Sequence, residues 1–174
     1  PRNLARDMAR ESIVLLKNEG GILPLRRDLR SIAVIGPNAD DREVLLGNYH
    51  GFPSRSTTVL DGIRAAVAPA TRIWYAAGCD ILRNEDTVWG VHADDGFGEA
   101  LAAAERAEVA VLVLGISNRI EGEEGGAAQS QWQGDRIRIE LPVIQQRLVS
   151  AMAAKGRPMV IVLLTGSPLA IPRE

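Results

Sequence analysis

The chain has one cysteine, two histidines and no run of basic residues, and each shortage removes a class of function. Alone, Cys79 can form neither an internal disulfide nor a cysteine-based metal cage, and it does not separate a cytosolic from a periplasmic setting. The 20 basic and 22 acidic residues are scattered and leave a net charge of -2, so nothing suits a phosphate backbone and no nucleic-acid partner is expected. The longest apolar runs, Val109 to Leu114 and Met159 to Leu164, are far too short to span a bilayer, and no membrane partner is expected. His50 and His92 have no acid at an interpretable spacing, and Ser167 lies in Gly166-Ser167-Pro168 rather than a nucleophile elbow, which argues against a serine hydrolase. Gly36-Pro37-Asn38 lacks the second and third glycines of a dinucleotide loop and reads as a strand-to-helix turn with Asp40 as its cap.

What is present is a chain of 174 residues, 46% hydrophobic and 24% charged, enough for one globular domain with a sizeable core. Runs at 31–36, 72–78, 108–115 and 158–166 are rich in apolar, mainly β-branched residues and end in glycine. Their continuous rather than alternating hydrophobicity predicts buried strands of a parallel sheet, with Trp74, Tyr75 and Met159 in the core. Between them, Thr58 to Asp61 forms a capping box that opens a helix with Leu60, Ile63 and Val67 inward. Phe97, Leu101 and Ala104 mark a second helix, and Ile144, Leu148, Ala151 and Met152 a third. Leu4, Met8, Ser12 and Leu15 share one face of a leading helix, Lys17-Asn18 reads as its terminus, and Pro24 forbids its return. Strands alternating with helices predict an α/β fold, a mostly parallel sheet sandwiched between helices in three layers. Residues 1–25 read as a helix and irregular linker and 26–174 as the sandwich domain. The start at Pro1 and the stop at Glu174 read as those of an internal piece of a longer polypeptide, truncated at its C-terminal side.

Two irregular stretches, 48–56 and 116–136, exceed the about 2 to 6 residues that usually join α/β elements. The second follows the most hydrophobic strand and carries Glu121, Glu123, Glu124, Asp135 and Arg136, together with Trp132, an aromatic of the kind that stacks on sugar rings. Open α/β sheets present ligands at the carboxyl ends of their strands, so the carboxyl ends of the strands beginning at Ser31, Glu108 and Pro158 are expected on one edge beside this loop. Taken alone, three glutamates among glycines read as a solvated acidic turn. Glu121, Glu123, Glu124 and Asp135 also offer hard oxygen ligands to calcium, without the spacing of a known calcium loop. Arg136 reads as ordering its loop through carboxylate pairing.

An ordered set of segments resembles the second domain of glycoside hydrolase family 3. Residues 5–18 with Leu23-Pro24-Leu25 resemble the segment that leaves that family's catalytic barrel. Ile32 to Ala39, Gly47-Asn48-Tyr49, Thr57 to Ile63, Glu121 to Glu124, Gly134-Asp135-Arg136, Leu141-Pro142 and Gly166 to Leu169 follow in the family's order, covering nearly the whole chain. The glutamate loop followed by Asp-Arg and Leu-Pro most resembles the β-xylosidase-like and β-glucosidase-like branches.

The resemblance implies a retaining, exo-acting O-glycosidase that releases terminal xylose or glucose from oligosaccharides. Its nucleophilic aspartate would lie on an N-terminal β/α barrel of the same polypeptide, absent from this chain, and the fragment alone is expected to be inactive. Such chemistry needs two carboxylates about 5 to 5.5 Å apart, and only the donor would come from here. Glu123, matching the second acid of a Glu-x-Glu pattern, is implied as the acid/base. An insertion before Asp135-Arg136 leaves Glu121 and Glu124 as alternatives. Glu121, Glu124 and Trp132 are implied in substrate binding, Asp135 and Arg136 in loop ordering, and no metal or organic cofactor is implied. The family points to a periplasmic or secreted setting, with a cytoplasmic one also open. The rival reading is a non-catalytic α/β module whose acidic loop engages a partner or cation.

Overall fold

The computed structural model describes residues 2–81, 96–122 and 134–171. Four runs of apolar residues form the sheet: β1 (Ser31–Ile35), β2 (Arg72–Ala76), β3 (Val109–Gly115) and β4 (Met159–Leu164). Helices α1 (Arg2–Glu11), α2 (Val59–Ala66), α3 (Phe97–Glu105) and α4 (Val143–Ala153) complete the described elements, with a single 3-10 turn at Glu43–Leu45. All strand pairs are parallel and the order is β2-β1-β3-β4. Parallel strands need both faces covered, and the side chains alternate accordingly. Ala33, Ile35, Ala110, Leu112 and Leu114 face α3 and α4, while Ile32, Val34, Val109, Val111 and Val113 face α2 and the segment from Ile22 to Leu29. The result is the three-layer α/β/α sandwich that the alternation of elements predicts.

Local chemistry explains the helix ends. The Thr58 side chain accepts the Asp61 N–H at 3.1 Å, and the Asp61 carboxylate accepts the Thr58 N–H, so the expected capping box opens α2. Near Pro69 the same helix ends at Ala66, which leaves Val67 as a half-buried cap rather than an inward helical residue.

Besides Val67, four expectations need correction. Helix α1 ends at Glu11, not near Asn18, because Ser12 turns its hydroxyl onto the Ala9 carbonyl at 2.8 Å and the β-branched pair Ile13-Val14 follows. Asn18 is instead a loop clasp, its amide exchanging two hydrogen bonds with the Leu23 backbone at 2.9 and 3.0 Å. Asp40 caps no helix: it accepts from the Thr58 hydroxyl, and Asp41 takes the Glu43 N–H at 2.8 Å. Tyr75 is not core, because β2 is an edge strand and leaves the ring exposed on it.

The sheet direction changes between β1 and β3, since the chain moves outward to β2 from one and to β4 from the other. This is the switch point at which open α/β sheets open a crevice. The carboxyl ends of β1, β3 and β4 share that edge, and residues 116–122 leave β3 directly onto it.

Candidate functional site at the carboxyl edge of the sheet

Strand β3 is buried along all seven residues and delivers the chain to the edge at Gly115. Gly115 has φ +136, and a Cβ there would run into the Leu164 carbonyl of β4, so only glycine lets the two backbones lie so close. The chain then turns. Ile116 and Ile120 bury themselves against Ile81 and Leu169, and the Ile120 and Glu121 N–H groups both donate to the Ser117 carbonyl. Glu121 therefore stands on a small apolar plug rather than on a free loop.

Beyond that plug the loop is drawn into a neck. The Gly122 N–H donates to the Gly134 carbonyl at 2.8 Å, which brings together the two ends of the stretch from 123 to 133. Beside it Arg136 donates through Nε to Glu121 Oε2 at 2.9 Å and through Nη2 to Ser167 Oγ at 2.9 Å and the Pro168 carbonyl at 2.7 Å. Ser167 Oγ in turn donates to the same Glu121 oxygen at 2.6 Å. The Arg136 side chain is only 8% exposed, against 35% for Glu121, so the guanidinium is desolvated and its charge is balanced by this one carboxylate among the described residues. Its Nη1 is buried and has no hydrogen-bond partner among the described residues. Leu141 and Pro142 close the construction: Glu140 bridges Ala170, and the Leu141 N–H donates to the Ala170 carbonyl at 3.0 Å.

The two donors on Glu121 Oε2 have a chemical consequence. An oxygen that already accepts an arginine and a serine hydroxyl is not where a transferable proton sits. Glu121 Oε2 is thus committed to Arg136 and Ser167. Asp135 is exposed, next to Arg136 in sequence. Glu123, Glu124 and Trp132 lie outside the described residues.

A second polar hollow, of about 680 Å³, opens beside β1 and β2 and is lined by Asp40, Asp41, Glu43, Asp61, Tyr75 and Arg119 among others. It contains neither Glu121 nor Arg136. Its charges are largely spent on each other: Arg119 pairs with Asp41 and Glu43, and Arg42 with Asp61. The neck at Glu121 is therefore the stronger candidate. Among the described residues no three His, Cys, Asp or Glu side chains are grouped to hold a metal ion.

Reading the sequence missed Ser167, weighed there only as a nucleophile, and Gln145, whose side chain is fully buried under the end of β3. The signal available for Ser167 was its place just after β4, the strand next to β3. For Gln145 it was a lone amide among the apolar positions of α4.

The geometry can be set beside known proteins. The chain is 37% identical to a β-xylosidase of Formosa agariphila over 98% of its own length and 22% of that protein's. It is 36% identical to a periplasmic β-glucosidase of Salmonella typhimurium over 99% and 23%. Among solved structures, the family 3 β-glucosidase of Bifidobacterium adolescentis superposes with a TM-score of 0.71 at 30% identity, covering 97% of this chain and 22% of that one. The chain thus spans between a fifth and a quarter of the length of each of these three proteins. Residues 13–174 match the model of the glycosyl hydrolase family 3 C-terminal domain, and together with the parallel sandwich and its glutamate-bearing edge loop this places the chain in that family.

Proposed function

We propose that this chain is the part of a retaining, exo-acting β-glycosidase that carries the acid/base glutamate, acting on terminal xylose or glucose of oligosaccharides. Glu123 is that glutamate. The nucleophilic aspartate belongs to a β/α barrel of the same polypeptide, and this chain alone is inactive. Residues 1–25 join the two parts. The exposed apolar side chains of Leu4, Met8 and Ile13 to Leu16 support a docked neighbour on that side.

One observation carries the reading: the Glu121, Arg136 and Ser167 cluster that pins the neck at Gly122 and Gly134, between which Glu123 lies in sequence. A general acid must reach a leaving-group oxygen on another domain while keeping a defined position. The neck supplies the fixed base, and the glycines around the glutamates supply reach. Glu121, with Oε2 doubly engaged, serves as the anchor of the neck rather than the donor. In the first half-reaction Glu123 protonates the departing oxygen while the barrel aspartate forms the glycosyl-enzyme. In the second, the Glu123 carboxylate takes a proton from the incoming water.

Leaving-group dependence in the full-length polypeptide tests this. Glu123→Ala should lower turnover of a disaccharide by about 10²- to 10⁴-fold, the usual contribution of a general acid, while the first step on a dinitrophenyl glycoside stays fast and glycosyl-enzyme accumulates. Equal losses on both substrates would remove Glu123 from the role.

A further inference from the structure

Strand β3 outruns its neighbour. β1 pairs with β3 only as far as Ile35 opposite Leu112, whereas β4 follows β3 to Gly115. Backbone groups of alternate residues face alternate neighbours, and the bond from the Ile116 N–H to the Leu164 carbonyl places residue 116 toward β4. Gly115 therefore turns its N–H and C=O toward the side on which β1 has already ended. Both groups are buried and would be orphaned there at a cost comparable to lost hydrogen bonds.

Gln145 takes the place of the missing strand. It sits in the first turn of α4 and is fully buried. Its Oε1 accepts the Gly115 N–H at 2.8 Å, and its Nε2 donates to the Gly115 carbonyl at 2.8 Å and to the Ile81 carbonyl at 2.7 Å. One amide thus satisfies both backbone groups of Gly115 and ties them to the chain that follows β2. Ile81 is also a wall of the apolar plug under Ile116 and Ile120, so the clamp and the plug share a member. Glu121 is the next residue after that plug.

We infer that Gln145 is a positioning residue for the acid loop: its buried amide locks the carboxyl end of β3 and the Ile81 segment, and so sets where the chain from Ile116 to Gly122 leaves the sheet. This rests on the reading of that loop as the carrier of the acid/base. A side chain that merely fills the core at this point could be leucine, as at Leu148 one turn away, whereas only a primary amide offers an acceptor and two donors in one plane. Misplacing a catalytic group by about 1 Å can cost on the order of 10²-fold, and the loss falls on the step that needs the misplaced group.

The test uses the full-length polypeptide with Gln145→Leu, which removes all three hydrogen bonds, and Gln145→Glu, which keeps the shape and the acceptor. Each is assayed on a disaccharide and on a dinitrophenyl glycoside, with the rate of the first chemical step measured for both. The expected result is a loss on the disaccharide at least about tenfold larger than on the activated substrate, with Gln145→Glu less impaired than Gln145→Leu. A purely structural residue would reduce the active fraction and lower both rates by one factor. That ratio does not depend on yield, and if Gln145→Leu fails to fold, the soluble Gln145→Glu protein decides. Equal factors would overturn the inference. Glu123→Ala, Glu121→Ala and Glu124→Ala run alongside: leaving-group dependence among them with none at Gln145 would overturn the positioning role alone. No dependence in any of the three would overturn the loop reading and this inference with it.

Discussion

Breaking the pair between Glu121 and Arg136 should cost more than a surface ion pair, and the two residues should be thermodynamically coupled. The Arg136 side chain is 8% exposed and its guanidinium makes hydrogen bonds to Glu121, Ser167 and Pro168, whereas the Glu121 side chain is 35% exposed. Removing one partner of a buried pair costs about 3–5 kcal/mol, because the other charge is left unbalanced. Water reaches Glu121, which discounts that figure, so about 2 kcal/mol is expected for Glu121→Gln and about 3 kcal/mol for Arg136→Met, the larger because three donors are lost. The double variant should cost about 3.5–4 kcal/mol rather than 5, a coupling of about 1–1.5 kcal/mol. Urea unfolding of the 174-residue chain at pH 7, followed by tryptophan fluorescence, measures all four corners. Coupling should persist in 1 M salt, since desolvated charges are weakly screened. Effects that add to within about 0.5 kcal/mol would mean the pair does not hold the neck, and the argument built on it would fail.

Two further predictions concern groups away from the loop. The Arg30 side chain bonds the Glu108 carboxylate and holds it below the usual carboxylate range. A depressed value adds stability above the unfolded pKa of about 4.3 and loses it as pH falls through the folded value. Glu108→Gln should therefore flatten the acid limb of a urea-midpoint profile below about pH 4.5, and parallel limbs would contradict the assignment. Burial, followed by the neighbouring charge of Asp80, pushes the Cys79 thiol up to about 12. The native thiol should then resist iodoacetamide at pH 8 and react once urea unfolds the chain, whereas fast native labelling would mean the site is open.

The sheet was legible because a strand covered on both faces must be apolar along its whole length, and β1, β3 and β4 are written that way. β2 shows the limit of the same rule. Its composition matches a buried strand, yet its place at the edge, which leaves Tyr75 in solvent, is set by strand order. Composition carries no strand order. The place of residues 116–122 at the carboxyl edge of the sheet was legible, and Arg136 as a residue that pairs with a carboxylate. What joined them was not. Ser167 reaches Glu121 across 46 residues because β3 and β4 are neighbours in space. Gln145 serves a gap that exists only because β1 stops short of the end of β3. The helix end near Ser12 and the exchange of roles between Asp40 and Asp41 turned on single hydrogen bonds that periodicity does not encode.

The claim that the loop beyond the neck carries the acid/base is tested most directly by azide rescue of Glu123→Ala in the full-length polypeptide. With a dinitrophenyl glycoside as substrate, a small anion can attack the glycosyl-enzyme without a general base. Azide should restore turnover and yield a glycosyl azide of β configuration, identified by NMR, while Glu121→Ala and Glu124→Ala give neither rescue nor azide product. Rescue in the Glu124 variant with none at Glu123 would move the role by one residue, and a Glu123→Ala enzyme that azide leaves unchanged on every substrate would contradict the account.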